Sequence, residues 1–333
     1  MGYSFPDTTY KYDKLGNRRT VSGEDTISYE SNELNQYTQI TKDINAQRYY
    51  YDYNGNLIGD GEWVYSYDDE NRLKTAKGKE VTAKYSYDGF GRRVKKEVSE
   101  SSGTTTKYYI YDGDEVVAEY DGSGTLLRKF IYGPKIDEPI LMEDATGGER
   151  YYYYFDGLGS VMGLTDESGS IVEKYEYDVY GKTIIKDKND TVLSQSAIGN
   201  PYYFTGRRLD AETGLYYYRA RMYSPELGRF LQVDPVGYWD SMNLYQYCGN
   251  NPVNWGDPWG ELTGIEEYIA VEVLIVIAII ILESYRQKGK CPKATTTLID
   301  EALDYLIQAG YEVADWVKDW IRQWAKEAGD NIK

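Results

Sequence analysis

The sequence predicts a mainly β protein: a long curling sheet of consecutive antiparallel hairpins, followed by an α-helical C-terminal tail. Three observations predict it. Tyr-Asp dipeptides recur at residues 12, 51, 67, 87, 111, 120 and 177, with Phe155-Asp156 as a variant. Tyrosine makes up 38 of the 333 residues, and its apolar ring with a polar tip suits half-buried sheet surfaces. Both features fade after residue 261, beyond which only Tyr268, Tyr285, Tyr305 and Tyr311 occur.

The repeats come first along the chain. "YDKLGNRRTV" (12–21), "YDYNGNLI" (51–58), "YDDENRLKTA" (67–76), "YDGFGRRVKKEV" (87–98) and "YDGSGTLLRKFIYG" (120–133) share one pattern. Each has an aromatic residue, an acid, a short Gly or Asn turn, then basic and β-branched residues, which reads as strand, turn, strand. Such a unit cannot bury its own face and has to stack on its neighbours. Residues 1–199 therefore read as one continuous run of hairpins. A β-sandwich with incidental Tyr-Asp pairs is the competing reading. Each repeat Asp is expected to cap its own turn by accepting backbone N–H groups, and none is a catalytic candidate.

Composition narrows the function. Histidine is absent, which removes Ser-His and Cys-His nucleophile pairs and most zinc sites. No cofactor is expected. The formal net charge of −17 would repel a phosphate backbone, so the sheet region is not expected to bind nucleic acid. Cys248 and Cys291 are the two cysteines, too few for a disulfide framework. The N-terminal stretch "MGYSFPDTTYKYDKLGN" has no apolar centre, so it is not expected to be a signal peptide.

Near the end of the β region the chain carries two Asp-Pro-x-Gly segments, in "GRFLQVDPVG" (228–237) and "NWGDPWG" (254–260). Proline fixes the backbone and glycine permits a sharp turn, so a structural reading is two Asx-type turns. A chemical reading is also available. Two carboxylates brought together do not both ionise easily; one holds a proton while the other acts as base, and the pair activates water without His, Cys or metal. Spacing alone does not show that Asp234 and Asp257 meet.

The repeats resemble the YD repeats of the RHS family, and residues 200–261 resemble the RHS repeat-associated core domain almost throughout, from "NPYYFTGRRLD" through "YYYRARMY" to the second Asp-Pro-x-Gly. Repeats and core together cover about four-fifths of the chain. The resemblance implies a β-spiral shell closed by the core domain, here the terminal part of such a shell, and a variable C-terminal segment that in polymorphic toxins is the effector. It also implies aspartyl autoproteolysis just after the second motif, with Arg221, Asp234 and Asp257 as the matching residues. Arg221 would hold a carboxylate or polarise the scissile carbonyl through its forked donors; Arg219 and Arg229 are assigned to structural pairs. The family pattern has Leu directly after the second motif, whereas here Glu261 precedes Leu262. A buried Glu must be desolvated or reach water, so three outcomes stay open: a cut after Glu261, a cut after Leu262, or none.

The tail, 262–333, is expected to form helices near 264–286 and 297–327. "IAVEVLIVIAIIIL" (269–282) has an uninterrupted apolar run of ten residues from Val273 to Leu282, shorter than the roughly 20 needed to span a bilayer. A buried helix, a membrane-active segment and a strand all remain open for it. Farther on, Leu298, Ala302, Leu306, Val313, Val317 and Ile321 follow helical spacing, with Trp316, Trp320 and Trp324 forming an aromatic line. That line is either a core-facing stripe or an interfacial anchor touching membrane.

Two functions compete. One is a secreted or cell-surface toxin carrier that encloses or presents its own tail as cargo and frees it by self-cleavage, with a cognate immunity protein as a further partner. The other is a secreted or wall-associated module whose Tyr-rich sheets bind glycan or protein on a target surface; an inactive RHS remnant is its bland variant.

Overall fold

The computed structural model describes residues 5–238 and 241–261; the expected tail helices and Leu262 lie outside them. Residues 1–261 cluster as one compact unit. The described chain is antiparallel β with two short 3-10 turns, Phe204–Gly206 and Cys248–Asn250. Five strands, Thr9–Tyr12 to Asn45–Arg48, form one sheet. Fifteen, Tyr50–Tyr51 to Val192–Leu193, form a second, and Arg208–Asp210, Leu215–Tyr218, Arg221–Ser224 and Arg229–Phe230 form a third. In every sheet, neighbours in space are neighbours in sequence. The fifteen-strand sheet does not close into a barrel, because its two end strands do not pair.

The expected single sheet is thus divided. The ladder parts at Tyr49. Its N–H still donates to Thr38 O at 3.1 Å, but its ring packs against the cluster around Leu57. The next strand, Tyr50–Tyr51, pairs forward with Leu57–Gly59.

The turns follow one local rule. Asp13 Oδ1 accepts from Leu15 N and Asn17 N, each at 2.9 Å, and Gly16 N donates to Asp13 O. Asp52, Asp68, Asp88, Asp121, Asp156 and Asp178 repeat this bonding to the second and fourth residues onward. The third residue onward has positive φ, as at Gly16 (+76°) and Asn71 (+60°), and a register shift falls just before the Tyr, between Lys11 and Tyr12 and between Ser86 and Tyr87. This is a turn closed by a bulge with a left-handed residue, which glycine or asparagine adopts at least cost.

The tyrosines have a separate, long-range task. Tyr67, Tyr87, Tyr111, Tyr132 and Tyr177 donate their hydroxyls to the carbonyls of Leu57, Leu73, Arg93, Val116 and Val161, at 2.5–2.9 Å. Each of these carbonyls follows the preceding turn, so one hairpin's ring tip satisfies the backbone group that its neighbour's irregular register leaves over.

Residues 200–231 fill the inside. Tyr216, Tyr218, Tyr223 and Phe230 join one buried cluster with Phe130, Met142, Val161 and Tyr175 of the fifteen-strand sheet. Leu215, Tyr217, Met222 and Leu231 join the other, with Leu57, Leu73, Ala76 and Tyr85. Because strand side chains alternate, Leu215–Tyr218 is buried along its whole length. That is why "LYYYRARMY" reads as a nearly unbroken run of bulky residues rather than an alternating one.

Candidate functional site

Arg221 opens the strand Arg221–Ser224, paired with Tyr218 across a two-residue turn. Both aspartates stand in tight turns. Asp234 Oδ1 accepts from Val236 N at 3.0 Å, and its carbonyl accepts from Gly237 N at 3.0 Å. Asp257 Oδ1 accepts from Gly260 N at 2.8 Å and from Glu261 N at 3.1 Å. The Asx-turn reading thus describes Asp234, which bonds two residues on, whereas Asp257 bonds the third and fourth residues onward. In each, one carboxylate oxygen is committed to the turn and Oδ2 points away from it.

Those two oxygens converge on one nitrogen. Arg221 Nη2 lies 2.7 Å from Asp234 Oδ2 and 3.4 Å from Asp257 Oδ2. Arg221 Nε donates to Gly260 O at 2.5 Å, Nη1 donates to Leu244 O at 3.1 Å, and the guanidinium lies 3.6 Å from the centre of the Phe230 ring. Arg221 and Asp257 are each only 2% exposed, and Asp234 is 8%. A buried guanidinium demands such complete use of its donors, since an unpaired charge at that depth costs several kcal/mol. One buried guanidinium is thus shared by two buried carboxylates.

Gly260 is fixed by space. Its φ is +69°, and a Cβ there would lie 2.2 Å from Tyr218 O. Gly237 has the same hand, φ +72°, with open space around it. Gly260 is therefore pressed against the core hairpin and Gly237 is not. Burial pushes the Glu261 carboxyl up, opposed by the charge of Arg221. A cavity of about 350 Å³, lined by Pro235, Arg219, Arg221, Trp259 and Glu261 among others, gives water room beside this peptide.

The structure therefore brings Arg221, Asp234 and Asp257 together, and places Gly260 and Glu261 with them. The carbonyl that Arg221 holds is one residue earlier than the position read from sequence. Arg229 does serve a structural role, donating to Asn35 O at 2.7 Å and stacking on Tyr37 at 3.4 Å. Arg219 does more than pair with acids: it also donates to Pro258 O at 2.5 Å. No local sequence signal marks that contact. Cys248 was not singled out for this region. Burial and the nearby Asp257 charge push its thiol well up, which leaves it unreactive.

Known proteins resemble this chain. A model of the Teneurin YD-shell family matches residues 4–253. The tRNA3(Ser)-specific nuclease WapA of Bacillus spizizenii is 36% identical over 265 residues, covering 75% of this chain and 11% of that protein. Toxin protein Tse5 of Pseudomonas aeruginosa is 27% identical over 319 residues, covering 76% of this chain and 24% of Tse5. The chain thus spans only a small part of these relatives. Among solved structures, the Photorhabdus luminescens Tc holotoxin pore has a TM-score of 0.51 at 20% identity, over 78% of this chain and 17% of the other, a likeness of fold. With the family model matching most of its length, this chain belongs to the RHS/YD-repeat family.

Proposed function

We propose that the chain is the terminal part of a toxin carrier, and that Arg221, Asp234 and Asp257 cut it beside Glu261 to separate the repeats and core from residues 261–333. The observation that carries this reading is the Gly260–Glu261 peptide, gripped at both ends. Arg221 Nε is on its carbonyl oxygen at 2.5 Å, and Asp257 Oδ1 is on its nitrogen at 3.1 Å. The cut then falls between Gly260 and Glu261. Asp234 takes a proton from water, whose oxygen adds to the Gly260 carbonyl carbon. The developing oxyanion is stabilised by Arg221. Asp257 gives its proton to the Glu261 nitrogen, the C–N bond breaks, and Gly260 ends as a carboxylic acid. The enzyme is its own substrate and turns over once.

The named relatives WapA and Tse5 are a nuclease and a toxin, which supports a toxin cargo in the tail. It also supports a secreted or surface location and a cognate immunity protein. The test is a denaturing gel of the full chain beside Asp234→Asn. Two bands for wild type and one for the variant support the reading; one band for both overturns it.

A further inference from the structure

Arg219 is the first central residue of the two-residue turn between Leu215–Tyr218 and Arg221–Ser224, and its φ is +54°. Glycine is the residue that such a hairpin position favours, so an arginine there has to be held. Its side chain is held from two sides. On one, Nη2 lies 2.9 Å from Asp137 Oδ1 and 3.2 Å from Glu115 Oε1, and Nη1 donates to Asp137 Oδ2 at 3.1 Å. Asp137 sits in the loop between Leu126–Tyr132 and Pro139–Asp144, and its N–H donates to Glu115 Oε1 at 2.9 Å. On the other side, Nη1 donates to Pro258 O at 2.5 Å, and the guanidinium lies 4.7 Å from the centre of the Trp259 ring. The adjoining Ala220 N–H donates to Trp259 O at 3.2 Å. Arg219 therefore ties Glu115 of the repeat sheet and Asp137 of its loop to Pro258 and Trp259, the two residues before Gly260.

We propose that Arg219 is a positioning residue for the cut, coupling the docking of the Glu115 and Asp137 segment to the placement of the Gly260 carbonyl on Arg221. The inference rests on the self-cleavage reading above. Cleavage then waits until strands 115–144 have packed on the core, because before that the Pro258–Gly260 turn lacks its clamp. A shift of a fraction of an ångström at Gly260 is enough to matter, since misplacing a reacting group by about 1 Å costs on the order of 100-fold in rate.

The test uses the full chain with Arg219→Gln and Arg219→Lys. Arg219→Gln is expected to slow cleavage about tenfold or more. Arg219→Lys, which keeps a charge for Asp137 and Glu115 but loses the fork, is expected to restore part of the rate. Hydrogen exchange supplies a readout independent of cleavage, in an uncut Asp234→Asn background. There Arg219→Gln is expected to raise exchange at amides 259–261 about tenfold while strand Val161–Thr165 keeps its protection. Should Arg219→Gln fail to fold, Arg219→Lys carries the test, and slowed cleavage with raised exchange supports the proposal. A folded Arg219 variant that is cut at the wild-type rate, or leaves exchange at 259–261 unchanged, overturns the clamp alone. A wild type that is never cut overturns the self-cleavage reading together with any role for Arg219 in it.

Discussion

Arg221 Nε donates to the carbonyl of Gly260 at 2.5 Å, at the end of a turn that begins 36 residues after that arginine. The same guanidinium meets both motif aspartates. The proposed self-cleavage rests on this geometry. The consequences are specific.

Asp257→Asn should abolish cleavage with little loss of fold. An Asn Oδ1 still accepts from Gly260 N and Glu261 N, but its amide nitrogen meets Arg221 Nη2 donor to donor. A stability loss of about 1–3 kcal/mol is expected, read as a lower thermal midpoint with only the full-length mass present. Arg221→Ala should be harsher. It removes the buried guanidinium that Asp234 and Asp257 share, at a cost of about 3–5 kcal/mol.

Two glycines in equivalent motifs should differ. Gly237→Ala meets open space and carries only left-handed strain, about 1–2 kcal/mol. Gly260→Ala adds a collision with Tyr218 O, so it should cost more and also stop the cut. Chemical denaturation of both variants, with gels of the same samples, checks the order; equal costs would contradict it.

The tyrosine tips should each matter. Tyr87→Phe removes the hydroxyl that satisfies Leu73 O at 2.8 Å, leaving a backbone acceptor unpaired for about 1–3 kcal/mol. Tyr53→Phe, on a fully exposed ring, should change nothing. Paired unfolding curves give the contrast.

Acid should weaken the fold through Glu119. Burial alone would raise its carboxyl, but Arg208, Lys107 and Arg128 outweigh that and hold it well below the ordinary value of 4.5. The folded state therefore binds this proton less readily than the unfolded state. The stabilisation is present above about pH 4.5 and is lost as pH falls toward the depressed value. Glu119→Gln should flatten that limb of the stability profile while lowering stability at neutral pH, because Arg208 and Arg128 lose their partner.

Sequence showed the turns and missed the joints between sheets. A repeat Asp bonds only within the next four residues, so Asp13 or Asp88 can be recognised locally. Asp166 and Asp187 make the same turn but follow Thr165 and Lys186, and a search for Tyr-Asp passes over them. Tyrosine is not part of the turn; it serves a neighbouring hairpin. The break at Tyr49 lies in a run whose spacing stays regular, so nothing local marks it. At the site, Asp234 and Asp257 were visible as matched turns. The contact of Arg219 with Asp137 spans 82 residues, and side-chain reach over that distance is decided by packing rather than pattern.

The central claim is tested most directly by intact mass spectrometry of the purified full chain, followed through incubation at mildly acidic and neutral pH. The account predicts two masses that sum to the chain plus one water, with the new N-terminus at Glu261. A new terminus at Leu262 would place the scissile carbonyl on Glu261 and contradict the roles given to the Gly260 carbonyl and the Glu261 amide. The full-length mass alone, persisting throughout, would contradict the account.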